Sequence, residues 1–313
     1  MFESWCEENQ TDPLSCGSRQ ILPFLQEQLD RGKAFSTLRG MVAAIKAARI
    51  GESRLSANCS NLVALFLKGA RRLRVQVRAP PVPPWDLGMV LEALQRAPFE
   101  PIESVNLKWL SLKTAFLLAV TSAKRIGELQ ALSVHRDLYR FRPDDGGVVL
   151  RPNPAFLPKI LSETHLNQVI ELSPFFDLQS TGVQRQDRSP LCPVRALEAY
   201  IRATRAHRVT DQLFVCFKQE CLGRPLSKAR LSHWITEVIQ QAYEQAGVPV
   251  PPGVRAHSTR GMAASWALWN GASLSEICTA ATWATPLTFT RFYRLNVAAS
   301  APFGESVLRA TQR

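Results

Sequence analysis

The residues best suited to chemistry lie between Gly253 and Leu295. His257 and Arg260 stand three apart at the start of a predicted helix, so both side chains project from one face. Trp283 and Tyr293 follow, so that three short predicted helices in succession deliver these four residues. A histidine, an arginine, an indole and a phenol are the material of a phosphate-binding site with a phenolic nucleophile. Taken alone, His-x-x-Arg also fits a capped helix with a surface arginine, and Tyr293 an ordinary half-buried tyrosine.

Local signals define these helices. Gly271 is typical of the residue that ends a helix, and Ser273 with Glu276 has the spacing of a capping box that opens the next one. Thr285-Pro286 offers an N-cap and a first-turn proline for the third helix. In this third helix, Phe289 and Phe292 at helical spacing are predicted to bury one face, which places Tyr293 beside it.

Three tyrosines besides Tyr293 occur in the chain. Tyr139 lies in a predicted strand region, and Tyr200 and Tyr243 lie in predicted long helices. None of them has the neighbours that Tyr293 has, so Tyr293 is the candidate nucleophile.

Further candidate phosphate ligands occur upstream. Arg125 lies at a break between two apolar helices, and Glu128 is positioned to orient its guanidinium, since a buried arginine needs such a partner. Lys159 lies in a proline-rich loop between two predicted strands, and no other lysine occurs between Lys124 and Lys218.

Composition favours a polyanionic partner. The 313 residues carry 38 Lys and Arg against 26 Asp and Glu, a formal charge of +12. A folded chain this basic suggests nucleic acid first and an acidic membrane surface second. The membrane is disfavoured because no apolar run approaches the roughly 20 residues that span a bilayer. The acidic N-terminus lacks the apolar core of a signal peptide. Seven cysteines without paired spacing predict a reducing intracellular compartment, no disulfides and no structural metal.

The chain divides at a proline-rich segment, residues 79–84, which cannot continue a helix. Residues 1–78 are predicted to form a helical domain, with an irregular lead-in up to residue 20 and three helices beginning near Ile21, Ser36 and Asn61. The last helix ends in five cations within eleven residues: Lys68, Arg71, Arg72, Arg74 and Arg78. They fit either a solvated helix end, where cations are favoured, or a surface that contacts phosphates.

Residues 85–313 are predicted to form the second domain, which is mixed. Helices are predicted from Trp85, around Trp109–Val120, and over the segments Pro193–His207 and Ser227–Gln245. Two short runs, Val148–Leu150 and Val169–Leu172, have the composition of strands in a small antiparallel sheet. The predicted fold class is mainly α with a small antiparallel β-sheet, in two domains that could close around a duplex.

Assembled in chain order, the candidates resemble the tyrosine recombinase (phage-integrase) family. That family has an arginine, a lysine, His-x-x-Arg, a histidine or tryptophan, and then the tyrosine nucleophile. The ordered positions here are Arg125, Lys159, His257, Arg260, Trp283 and Tyr293. The segment Lys124–Leu129 resembles the first-arginine motif of that family. The segments Leu150–Lys159, Ala256–Gly261 and Ala280–Trp283 are most similar to recombinases of DIRS- and Ngaro-type retrotransposons. The segment Thr288–Tyr293 shares that similarity, and the resemblance covers roughly residues 20 to 300.

The resemblance implies a two-domain recombinase with a helical core-binding domain and a catalytic domain. Tyr293 would attack the scissile phosphate, forming a 3′-phosphotyrosyl link that keeps the phosphodiester energy. Arg125 and Arg260 would stabilise the charge on the phosphate oxygens, because guanidiniums are always charged and bind oxygens in a fork. Trp283 can supply an indole N–H to that phosphate, and His257 can shuttle or donate a proton.

The resemblance also implies that Lys159 protonates the leaving 5′-oxygen as general acid. It implies double-stranded DNA in the nucleus as the partner, a homo-tetramer on two duplexes, and no cofactor or metal.

Three other functions remain open from the sequence. One is a nicking-closing enzyme like a type IB topoisomerase, which shares the chemistry but needs no partner protomer. Another is a catalytically silent DNA-binding protein derived from a mobile element, although all six ordered residues are present. The third is a basic structural protein.

Overall fold

The computed structural model describes residues 1–48, 57–73, 83–143, 146–176 and 188–295. The chain forms two compact units, Met1–Ala79 and Pro80–Arg313. No helix in the described ranges is long and apolar enough to cross a bilayer.

The described residues of the first unit form four helices: α1 (Phe2–Glu8), α2 (Ser18–Asp30), α3 (Phe35–Ala48) and α4 (Ala57–Leu73). Apolar residues at helical spacing on α2, α3 and α4 are buried together in one core. The expected irregular lead-in is wrong over its first part, because α1 covers most of it. Cys6 is buried there, and the ring of Phe2 packs edge-on against Phe24 with the centroids 4.9 Å apart.

The cationic end of α4 is described in part. Lys68, Arg71 and Arg72 are exposed there, at the helix terminus where cations are favoured. Arg74 and Arg78 lie outside the described residues, as do residues 79–82 of the proline-rich segment.

The second unit is built around one buried helix. Its helices are α5 (Leu87–Ala93), α6 (Leu107–Ser122), α7 (Ile126–Gln130), α8 (Glu163–Leu166), α9 (Pro193–Thr204), α10 (Lys228–Gln245), α11 (Ser258–Trp269), α12 (Leu274–Ala281) and α13 (Pro286–Phe292). Helix α6 is apolar on nearly all sides, so it is buried, with α9, α10 and α11 packed around it. Lys113, fully buried on α6, pairs with Glu100.

Three short strands form an antiparallel sheet in the order β1 (Tyr139–Phe141), β2 (Val148–Leu150) and β3 (Ile170–Leu172). Val148 pairs with Leu172 and Leu150 with Ile170, so these alternate residues face the core together. The predicted fold class, mainly α with a small antiparallel sheet, is confirmed.

Candidate active site

The centre of the site is a buried carboxylate between two arginines. Arg125 is the N-cap of α7, and its Nη1 donates to Glu128 Oε1 at 2.8 Å while its backbone N–H donates to Oε2 at 2.7 Å. Arg260 Nη1 lies 3.5 Å from Glu128 Oε2. Glu128 is 1% exposed, so its charge acts on both guanidiniums with little screening by solvent. One carboxylate therefore sets the positions of both predicted phosphate-binding arginines.

Arg260 lies in the first turn of α11. The start of this helix is fixed by Trp85, whose Nε1 donates to Ser258 Oγ at 2.7 Å. The Arg260 guanidinium is buried and its Nη2 donates to the carbonyl of Ala281 at the end of α12. Burial disfavours the charge and lowers the pKa of Arg260, with Arg125 adding repulsion and Glu128 opposing it. An arginine nevertheless stays charged near neutral pH.

The turns between α11 and α13 follow the predicted signals. Gly271 adopts φ +95°, and its N–H and that of Ala272 bond back to Leu268 and Ala267 in a Schellman arrangement. The capping box is confirmed, since Ser273 and Glu276 exchange side chain–backbone hydrogen bonds at 2.7 and 3.2 Å.

The predicted packing of α13 is half right. Phe289 is fully buried against Trp283, but Phe292 is 61% exposed. The helix is only seven residues long and ends at Phe292, and Phe289 is its one residue buried in the small cluster around Ala281 and Trp283.

Tyr293 is the C-cap of α13, and two residues of α11 hold its backbone. Ser265 Oγ donates to the Tyr293 carbonyl at 3.3 Å and accepts from Leu295 N–H at 2.8 Å. Gly261 permits the close approach, because a Cβ added there would lie 3.1 Å from the same carbonyl oxygen. The nucleophile candidate is thus fixed to the helix that carries His257 and Arg260.

The rings close around the guanidinium of Arg260. Its Cζ lies 4.8 Å from the Trp283 ring centroid and 5.6 Å from that of Tyr293, within the range of cation–π attraction. The Tyr293 ring lies 4.8 Å from the Trp283 ring and 5.8 Å from the His257 ring, centroid to centroid. Tyr293 therefore lies beside three of the five residues that were expected to share its chemistry.

The site has more donors than acceptors. Within the described ranges, Arg260 Nε and Trp283 Nε1 are buried and make no hydrogen bond, and Arg260 Nη1 makes none besides its 3.5 Å ion pair with Glu128. Burying a donor without an acceptor costs about 1–3 kcal/mol, more for a charged group. An incoming group that brings several acceptor oxygens and negative charge would relieve that cost.

His257 is the N-cap of α11. Partial burial lowers the pKa of its imidazole, and the positive charges of Arg260, Arg125, Lys159 and Lys228 lower it further. The ring is therefore neutral at pH 7, with one nitrogen able to donate and the other to accept. The same cations make its surroundings strongly positive.

Lys159 is less closely held than the other candidates. It is exposed in the loop between β2 and β3, and its charge reaches His257. The fold brings it to the side of the site where His257 lies, with no contact to Arg125, Trp283 or Tyr293 among the hydrogen bonds and ring contacts of the described residues.

Two of the remaining tyrosines have structural roles. The hydroxyl of Tyr200 accepts from Val215 N–H at 3.0 Å, and burial raises the pKa of Tyr200 to about 12. The hydroxyl of Tyr243 accepts from Asp86 N–H at 2.8 Å. Tyr139 lies half-buried in β1.

Sequence reasoning missed four residues of the site. Gly261 and Ser265 anchor Tyr293, and the Nζ of buried Lys124 donates to Thr282 Oγ1, next to Trp283. A signal existed for Lys124, a cation at the end of a long apolar helix and directly before Arg125. No cluster of three or more His, Cys, Asp or Glu in the described ranges could hold a metal ion.

No family model matches the sequence, and no curated protein matches it. Solved structures do match. An integrase of transposon Tn1549 in complex with a circular intermediate DNA superposes with a TM-score of 0.57 at 12% identity, over 96% of this chain and 86% of the other. A lambda integrase dimer bound to a core site gives 0.52 at 14% identity, over 96% and 89%.

The fold is that of a tyrosine recombinase. A lambda integrase tetramer bound to a Holliday junction also shares it, with a TM-score of 0.50 at 13% identity over 96% of this chain and 72% of the other. The arrangement of the helices and of the small antiparallel sheet is thus that of the tyrosine recombinase fold. At 12–14% sequence identity, the structural similarity establishes the fold only. The activity depends on the side chains of the site.

Proposed function

We propose that this chain is a DNA strand-transferase that cuts and rejoins DNA through a 3′-phosphotyrosyl intermediate. The observation that carries the proposal is the convergence of Arg125, His257, Arg260, Trp283 and Tyr293 around one positive, donor-rich centre. A phosphodiester supplies further negative charge and acceptor oxygens for the donors that make no hydrogen bond in this centre. The DNA-bound states of the structural neighbours support the proposal.

In the proposed reaction, the Tyr293 hydroxyl attacks phosphorus and forms the phosphotyrosyl bond. The bond between phosphorus and the 5′-oxygen breaks, and that oxygen leaves as a hydroxyl after taking a proton from Lys159. The tyrosine proton passes to His257 or to water. Arg125, Arg260 and Trp283 donate to the non-bridging oxygens, where the transition-state charge grows. Donors of this kind are worth about 10²–10³ in rate each.

The proposed working form is a homo-tetramer on two DNA duplexes, acting in the nucleus. The chain is also proposed to be related to the recombinases of DIRS- and Ngaro-type retrotransposons. The lambda integrase tetramer on a Holliday junction supports an assembly of this kind. The cationic end of α4, with exposed Lys68, Arg71 and Arg72, is proposed to contact DNA phosphates.

The decisive experiment compares Tyr293→Phe with the wild type on nicked duplexes of random sequence. Covalent protein–DNA complexes are recovered after denaturation in detergent. We expect adduct with the wild type and none with Tyr293→Phe, while DNA affinity and thermal stability stay the same, because the variant loses one oxygen and keeps the ring.

Tyr139→Phe is the matched control, because it loses the same atom outside the site and should retain adduct formation. Adduct with Tyr293→Phe would place the nucleophile elsewhere. DNA binding without adduct from the wild type would favour a catalytically silent binding protein. Relaxation of supercoiled DNA without strand exchange would favour a nicking-closing enzyme.

A further inference from the structure

Two cations of the site converge on one turn of the chain. Arg260 donates to the carbonyl of Ala281, and Lys124 donates to Oγ1 of the next residue, Thr282. Trp283 follows immediately. The turn that carries Trp283 is therefore hydrogen-bonded to Arg260 on α11 and to Lys124, the residue before Arg125.

Thr282 has an unusual conformation for its residue type. It ends α12 in the left-handed region, at φ +52° and ψ +50°. β-Branched residues are rare there, because their side chain strains such a backbone. Glycine or asparagine would fit the turn with less strain. What threonine adds is a hydroxyl oxygen, and that oxygen accepts from Lys124.

Lys124 is also costly to bury. Only 3% of it is exposed, and burial, followed by repulsion from Arg260 and Arg125, lowers its pKa to about 8, against the attraction of Glu128. A methionine of similar length would fill the same volume without that cost. Lys124 and Thr282 thus each stabilise the fold less than a simple replacement would. This argues that the pair is present because it has a role in the site.

The pair connects the two halves of the phosphate site. One half is the α6–α7 turn, where Ala123 is also left-handed (φ +50°) and where Arg125 begins α7. The other half is the α12–α13 turn with Trp283. Ala123 and Trp283 belong to one small buried cluster, so the two turns are packed together. The hydrogen bond from Lys124 to Thr282 joins them.

We propose that Lys124 is a positioning residue that sets the Trp283 indole relative to Arg125 through its bond to Thr282. This inference rests on the proposed function. It assigns to Lys124 no contact with DNA. Removing the bond should misplace the indole donor while the fold and the DNA-binding surface remain.

The test uses Thr282→Gly, Thr282→Ser and Lys124→Met, with single-turnover adduct formation, DNA affinity and thermal stability measured for each. Thr282→Gly relieves the backbone strain but leaves buried Lys124 without its acceptor, and because these two effects oppose each other its stability should change little. Its adduct rate should fall about 10- to 100-fold, the scale expected when a catalytic group is misplaced by up to about 1 Å. DNA affinity should be unchanged. Thr282→Ser keeps the hydroxyl acceptor, so it should form adduct at the wild-type rate.

The double variant Lys124→Met/Thr282→Gly shows whether the slower adduct formation comes from losing the Lys124–Thr282 bond or from the flexibility of glycine. If both single changes break one bond, the double variant should be no slower than the slower single variant. Multiplied defects would overturn the proposal, as would a wild-type rate in Thr282→Gly. If the wild type and Thr282→Ser also give no adduct, the proposed function itself fails.

Discussion

Replacing Glu128 by glutamine tests the electrostatic design of the site. Glutamine keeps the shape and one acceptor oxygen, but it removes the negative charge. Glu128 is 1% exposed and lies 2.8 Å from Arg125 and 3.5 Å from Arg260. Its charge also acts on buried Lys124. The variant therefore leaves three cations around one pocket without their shared carboxylate.

The expected cost in stability follows from that burial. Breaking a buried ion pair by removing one partner costs about 3–5 kcal/mol, and the retained amide oxygen places the estimate at about 3 kcal/mol. For a domain of this size, each kcal/mol lowers the melting temperature by about 2–4 °C, so a loss of roughly 6–12 °C is expected. Adduct formation should fall by about 100-fold, because both arginines lose their common anchor.

Protonation of Lys124 sets the pH dependence of that cost. The unperturbed pKa is 10.5 and the folded pKa about 8. Between these values the unfolded state binds more protons than the folded state, so stability rises with pH. Without the Glu128 charge the folded pKa falls further, and the rise should begin at a lower pH in Glu128→Gln.

Chemical denaturation of both proteins from pH 6 to pH 10 measures these effects. Glu171→Gln is the matched control, since its exposed carboxylate lies 3.2 Å from Arg142 in a surface pair. Such a pair contributes only about 0–1 kcal/mol. A loss in Glu128→Gln no larger than in Glu171→Gln would refute the assignment of Glu128 as the shared counter-charge.

Five further predictions concern other features of the chain. Lys159→Ala should be slow on ordinary DNA and recover on a substrate with a 5′-thio leaving group, which needs no protonation. Gly261→Ala should raise the activation free energy of adduct formation by more than it lowers the free energy of unfolding. The reason is that its Cβ would lie 3.1 Å from the Tyr293 carbonyl oxygen and press on it. Lys124→Met should remove the rise in stability between pH 8 and 10, which is worth roughly 2 kcal/mol when the pKa falls from 10.5 to about 8. Residues 299–313, which lie outside the described residues, are proposed to dock on a neighbouring protomer of the tetramer, so deleting them should abolish strand exchange and spare DNA binding. That DNA binding should weaken with salt by roughly 0.9 log units per log unit of salt for each phosphate contact.

Each of these has a contrary result. Equal slowness of Lys159→Ala on both substrates would assign the general acid to another residue. A wild-type adduct rate in Gly261→Ala, by single-turnover assay, would mean that the Tyr293 backbone is not tightly placed. An unchanged pH slope in Lys124→Met would show that another group titrates there. Normal recombination without residues 299–313, or affinity independent of salt, would contradict the assembly and the phosphate contacts respectively.

Local signals in the sequence predicted local structure well where the signal was stereochemical. Gly271 at positive φ, the Ser273–Glu276 capping box and the start of α13 at Pro286 all depend on atoms within a few residues. The lead-in was mispredicted because α1 is stabilised by a distant contact between Phe2 and Phe24. Phe292 was mispredicted because helical spacing cannot tell how many positions of a short helix find a partner.

The sequence by itself determined the residue types available for phosphate chemistry, their order, and the turns that begin and end their helices. Those properties follow from side-chain chemistry and from hydrogen bonds of short range. Only the tertiary structure decided which groups meet: Glu128 between two arginines that are 135 positions apart, and Lys124 bonded to Thr282 across 158 positions. Contacts between residues so distant in the chain depend on how whole helices pack, and helix packing is set by the complete core, which no local pattern contains.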